Sequence, residues 1–188
     1  RRHRIAPIAL FASLTRPLNA QARRRFDSEQ FGLLPASSNG STVRLTLDGR
    51  IMMRNTLAYA GNKRLDQEML DRVSLNHRES IRKRWPELAD IDLESTWGGI
   101  LGFTRNEGSV FGEIAPGLHV ALTADVSPMT RGTAAGRLLA ESICGVPSAE
   151  LDLVRSVPPA AWLPPDPLLG FVARRRIRRF ERDEPDER

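Results

Sequence analysis

The residues best placed for chemistry are small ones, and what they offer is room. Trp97-Gly98-Gly99, followed by Gly102, lies inside a strand-like run, where consecutive glycines cost stability and mark close backbone approach by a ligand or another chain segment. The alternative reading of that stretch is a β-bulge beside a packed tryptophan. A second place is "LTADVSPMTRGTAAGRLLAESICG", residues 122 to 145, where a strand end meets a helix carrying Ala134, Ala135, Gly136 and Ala140. Such a junction is where many α/β proteins hold a cofactor, although tight helix-on-sheet packing explains the small residues beyond the first turn equally well. His77 lies on the apolar stripe of a helix, where a lone histidine is more often packed and hydrogen-bonded than catalytic.

Other chemistries have no residues to carry them. No G-x-G-x-x-G, Walker-type loop, H-E-x-x-H, EF-hand loop or G-x-S-x-G elbow occurs. The histidines at 3, 77 and 119 are too scattered for a metal site, and Asp90 with Asp92 reads as a solvated loop. Cys144 is the only cysteine, which excludes a disulfide within the chain and fits a reducing, cytoplasmic setting.

The elements that must position these residues follow from patterning. At 188 residues and 40% hydrophobic content the chain can bury one real core. "NAQARRRFDSEQ", Asn19 to Gln30, reads as a short helix capped by Asn19. "STVRLTLDGRIMMRN" reads as a hairpin turning on Asp48-Gly49. A two-residue turn there sets Leu47 opposite Arg50, Leu45 opposite Met52 and Val43 opposite Arg54. One face then carries Val43, Leu45, Leu47 and Met52 with Arg50 and Arg54, and the other Arg44, Thr46, Ile51 and Met53. With neither face purely polar, the hairpin belongs in a larger sheet covered on both sides.

"LDQEMLDRVSLNHRESIRKRWPEL" is a helix with Leu70, Val73, His77, Ile81 and Trp85 on one stripe, stopped by Pro86. Strand candidates follow at "ESTWGGILGFT", "GSVFGEI" and "GLHVALTA", the last with one buried face formed by Leu118, Val120 and Leu122. A helix over 131–144 ends at Gly145, and the Pro-rich "VPPAAWLPPDP" is a linker or strap before a basic terminal helix. This order predicts an α+β fold with a mixed, largely antiparallel sheet and flanking helices. It divides as 1–150, ending in a strand-loop-helix over 118–145, and 151–188.

The net charge of +5 is almost wholly arginine, concentrated at 23 to 25 and 174 to 182. No aromatic-rich strand, Cys/His finger or helix-turn-helix pattern accompanies it, so a surface helix explains it better than a nucleic-acid footprint. No apolar run approaches the ~20 residues of a membrane span. The start at "RRHRIAPIAL" has no initiator methionine and no signal-peptide pattern, so Arg1 is not expected to be the natural first residue.

Four segments carry a resemblance: "FASLTRPL", "GLLPASSNGSTVRLTLDGRIMMRN", "TWGGILGFTRNEGSVFGEIAPGLHVAL" and "RGTAAGRLLAESICG". In their order and spacing, over roughly residues 5 to 180, they resemble the C-terminal part of FAD-dependent oxidoreductases of the D-amino-acid oxidase and sarcosine oxidase superfamily. The resemblance implies a substrate-domain sheet roofing the flavin, without the N-terminal half that would hold the ADP portion of FAD. It implies oxidation of a small-molecule amine or amino acid by hydride transfer to the flavin. Arg54, Trp97, Gly98 and Gly99 would then line the substrate side, with Arg54 holding a substrate carboxylate. The cofactor-facing loop falls on Thr123 to Thr130, making Val126, Ser127, Pro128, Met129 and Thr130 the cofactor-binding positions, with Val126 and Pro128 where glycines are usual. The missing half, or self-association, would cover the exposed apolar surface. The alternative is a truncated, non-catalytic relic of that fold serving as an interaction or structural module.

Overall fold

The computed structural model describes residues 3–36, 40–122 and 128–183. The described elements form an α+β arrangement containing a five-stranded sheet of order β2-β3-β4-β1-β5. These strands are β1 (Ala6–Thr15), β2 (Phe31–Leu33), β3 (Thr42–Leu45), β4 (Ile51–Tyr59) and β5 (Leu93–Phe103). The chain contacts divide into two compact units, Arg1–Ile8 with Leu101–Gly170, and Ala9–Ile100 with Phe171–Arg188. Among the described residues no helix is long and apolar enough to cross a membrane.

The second unit is organised by helix α2 (Gln67–Arg84), which begins where Asp66 accepts a 2.9 Å hydrogen bond from the Met69 N–H. Its stripe is the one the spacing predicts: Val73, His77 and Ile81 are buried, joined by Ser80. Pro86 opens a 3-10 turn, Pro86–Leu88, and Trp85 caps the helix. Two apolar clusters result. Ile81 and Leu88 pack with Val43, Leu45, Ile51 and Met53, while Val73 packs with Ala9, Phe11 and Ala60. Each such fully buried aliphatic side chain contributes about 1.5–3 kcal/mol of transfer free energy.

The hairpin register differs from the one a two-residue turn would set. Leu45 pairs with Ile51, Val43 with Met53 and Thr42 with Arg54, one residue out of step with the expectation. The cause is a three-residue loop. The Thr46 and Arg50 backbones close it at 2.9 Å, the Thr46 hydroxyl accepts from the Arg50 N–H at 3.0 Å, and Gly49 takes a φ of +74° as the left-handed loop residue. Val43, Leu45, Ile51 and Met53 therefore share one buried apolar cluster on the face against α2. Leu47, expected to share a hairpin face with Leu45, stands instead in the loop and is 71% exposed.

Helix α1 is a single turn, Ala20–Arg23, where the sequence predicts a helix reaching Gln30. Asn19 caps it as expected. Beyond it Phe26 packs at a tilt against Phe31 and edge-on against Trp85, at centroid distances of 5.5 and 5.6 Å.

In the first unit, β6 (Val110–Ala115) and β7 (Leu118–Leu122) form an antiparallel hairpin turning through Gly117 at φ +71°. Leu118 is 52% exposed and Val120 and Leu122 are only half-buried, so the face expected to be buried here is not. Helix α3 (Pro128–Ile143) begins three residues earlier than the spacing predicts, with proline in the first turn, where its missing N–H costs nothing. Gly145, at φ +68°, ends it. A short helix not anticipated, α4 (Ala149–Ser156), follows with Ser148 as its cap. The Pro-rich strap is tied down: Asn106 accepts from the Ala161 N–H and donates to the Pro159 carbonyl, and Leu163 is buried. Helix α5 (Leu168–Asp183) carries the terminal basic run.

Candidate functional site

Two observations orient the five-stranded sheet. Asn55 on β4 donates to the Ser80 hydroxyl of α2 at 2.8 Å, so its chain neighbour Arg54 points to the opposite face. On β5, a Cβ placed at Gly98 would stand 2.7 Å from Phe11 and from Leu65, both in the α2-side core. Trp97 and Gly99 therefore share the face that carries Arg54, with β1 between the two strands.

Of the four expected substrate-side residues, the structure gathers three on the open face and gives the fourth another task. Gly98 is small because Phe11 and Leu65 occupy its side-chain space. Gly99 is the open one, since a Cβ there would meet nothing within 4 Å, and Trp97 beside it is 44% exposed. The backbone of Gly99 is thus accessible from the open side.

Arg54 is half-buried, and burial pushes its pKa below the ordinary arginine value. Its Nη2 donates to Thr42 Oγ1 across the hairpin at 2.7 Å. No carboxylate pairs with it among the described residues, in contrast to Arg50, which is held by Asp48 at 2.7 Å and by Glu94. A guanidinium in this setting retains free donors in a planar fork, the arrangement that receives a carboxylate.

The opposite face holds a buried polar chain that serves the fold. His77 is fully buried, its Nδ1 2.7 Å from Ser13 Oγ, which lies 2.8 Å from Thr96 Oγ1. Desolvation lowers the His77 pKa to about 4, so the ring is neutral at physiological pH. Its Nε2 has no partner among the described residues. With no carboxylate in the chain of bonds, the arrangement lacks the acid that would orient a histidine base. A polar cleft of about 180 Å³ opens nearby between Gln67, Asp71 and Ser74 of α2 and Glu94 to Thr96 of β5.

Of the expected cofactor-facing positions, Val126 and Ser127 lie outside the described residues. Pro128 opens α3 and brings no N–H, Met129 is 83% exposed, and Thr130 is exposed on the same first turn. Further along α3, Ala135 and Leu138 are buried and help line an apolar groove of about 150 Å³ with Val110 and Phe111 of β6 and Val157. Of the small residues on this helix only Ala135 packs in this way; Ala134, Gly136 and Ala140 are exposed, and a Cβ at Gly136 would meet nothing within 4 Å.

Comparison with known proteins agrees with this architecture. A family model described as FAD dependent oxidoreductase matches residues 1–142. The probable oxidoreductase OrdL of Rhizobium meliloti (strain 1021) is 28% identical over 114 residues, 61% of this chain and 25% of that protein. Iminodiacetate oxidase (IdaA) from Chelativorans sp. BNC1 superposes with a TM-score of 0.60 at 22% identity, covering 79% of this chain and 38% of that one. Glycine oxidase from Geobacillus kaustophilus gives a TM-score of 0.60 at 15% identity, over 78% and 37% of the two chains. The chain thus spans about a quarter of the curated relative and under two-fifths of these structures. With the family model covering most of its length, the chain belongs to the FAD-dependent oxidoreductase family typified by D-amino-acid oxidase.

Proposed function

We propose that this chain forms the substrate-facing part of an FAD-dependent oxidoreductase acting on a small amine or amino acid, with Arg54 holding the substrate carboxylate. The observation that carries this reading is the half-buried Arg54 guanidinium, engaged by the neutral Thr42 hydroxyl and sharing its sheet face with Trp97 and Gly99. A charge kept partly out of water without a counter-ion costs free energy, and a carboxylate ligand offsets that cost. Iminodiacetate oxidase and glycine oxidase, similar in fold, are by name oxidases of small amino acids, which supports the same substrate class.

The residues present fit one end of FAD and not the other. The open backbone at Gly99 with Trp97 beside it suits the approach of a flat ring. For the pyrophosphate the chain has no glycine-rich strand-to-helix turn, so that end must be held by a further segment or partner. Bound flavin supplies the hydride acceptor. The chain's own residues bind and orient: Arg54 fixes the carboxylate, Gly99 admits the reacting groups, and Trp97 shields them from water.

A second reading, a non-catalytic module, draws on Pro128, whose place in the first turn of α3 withholds a backbone donor where the family brings glycines to the flavin. Titration of the purified chain with FAD, alone and with a flavin-binding half supplied in trans, separates the two. Flavin capture and amine-dependent bleaching in the complemented sample support the enzyme. A protein that retains no flavin after removal of the unbound FAD under both conditions sinks it.

A further inference from the structure

The register of the hairpin places a second guanidinium beside Arg54. Arg54 reaches over β3 to Thr42, its paired residue. Arg44 stands two residues further along β3, on the same face as Thr42 because strand side chains alternate. Two residues of strand span about 7 Å, so the Arg54 head group and the base of Arg44 are neighbours at the scale of a small diacid.

The third arginine of this hairpin gives a contrast. Arg50 is bound to Asp48 and to Glu94, so its charge is answered within the fold. Arg44 and Arg54 pair with no carboxylate among the described residues, and Arg44 is exposed. The other strands of the sheet add none on this face: β2 sets Gly32 opposite Arg44, β1 turns Leu10, Ala12 and Leu14 to it, and β5 turns Ser95, Trp97 and Gly99. Adjacent like charges repel, so a pair of unanswered guanidiniums on an acid-free face raises the local potential for anions.

We propose that the site selects a substrate with two acidic groups, the inner one held by half-buried Arg54 and the outer one by exposed Arg44. This rests on the reading of Arg54 as a carboxylate holder given above. Arg44 is then the specificity-determining residue. It adds little for a monoacid and a second charge-assisted contact for a diacid.

The test is calorimetric titration of the full chain with glutarate and with butyrate, probes of similar length bearing two carboxylates and one. Glutarate is expected to bind at least about 10-fold more tightly, the effect of one added charge-assisted contact. Arg44→Gln should abolish that preference while leaving butyrate affinity in place, and Arg54→Gln should abolish binding of both. Arg105→Gln removes the same charge elsewhere and should leave the preference intact. Equal binding of the two probes, an unchanged preference in Arg44→Gln, or an equal loss in Arg105→Gln overturns the diacid assignment while the carboxylate reading stands. Failure of both probes to bind, or binding indifferent to Arg54→Gln, overturns the two together.

Discussion

Ser13 of β1 and His77 of α2 meet through a 2.7 Å hydrogen bond between Oγ and Nδ1, in a region where the imidazole is wholly excluded from solvent. The bond fixes the helix over the sheet and makes the fold sensitive to acid. The folded His77 has a pKa of about 4 against an ordinary 6.5. Above about pH 6.5 both folded and unfolded chains carry the neutral ring. Between these values only the unfolded chain takes up the proton, so stability falls as pH is lowered. The loss integrates to about 3 kcal/mol by pH 4. Urea unfolding at pH 7.5, 5.5 and 4.5 should show it, with a shallower slope in His77→Gln; equal slopes in the two proteins would refute the assignment.

The neighbouring glycines of β5 should respond oppositely to the same methyl group. Gly98→Ala places a Cβ 2.7 Å from Phe11 and Leu65, an overpacking expected to cost about 1–3 kcal/mol. Gly99→Ala meets open space and should fold as well as the parent. Thermal melts of the pair give the comparison, and equal melting temperatures would contradict the placement of Gly98.

Arg54 should show function set against stability. Arg54→Met exchanges a half-buried, uncompensated guanidinium for an apolar chain of similar length, so stability is expected to hold or rise by on the order of 1 kcal/mol. Carboxylate binding should be lost in the same variant. A marked fall in melting temperature would show instead that Arg54 serves the fold.

Gly49→Ala should destabilise the hairpin by about 1–2 kcal/mol, the cost of a left-handed conformation for a residue with a Cβ. Asp48→Ala, at an exposed loop position, should matter less. Chemical denaturation of the two variants orders them, and the reverse order would argue against the loop geometry.

The stripe of α2 was legible because 3.6-residue periodicity is local: Val73, His77 and Ile81 announce their shared face without reference to anything else. The hairpin was half legible. Asp48-Gly49 marks the turn, but whether it holds two residues or three depends on the Thr46 hydroxyl accepting from the Arg50 backbone, a contact that pattern does not encode. A two-residue turn would set Arg44 on the other face from Arg54, and the three-residue loop alone brings them to one. At Trp97-Gly98-Gly99 the sequence announces close approach, yet which glycine meets Phe11 and which meets solvent is decided by the strand's orientation over α2. Helix α4 passed unnoticed because eight residues hold barely two turns of periodicity, although Ser148 is an ordinary cap.

The three-residue loop at Leu47 to Gly49 acts as a parity switch. Side chains of β4 alternate between the core and the open face, so a slip of one residue in the pairing, to the register of a two-residue turn with β3 held in place, exchanges the two sets. Arg54 would turn toward Ile81 and Leu88, and Met53 would turn out in its place.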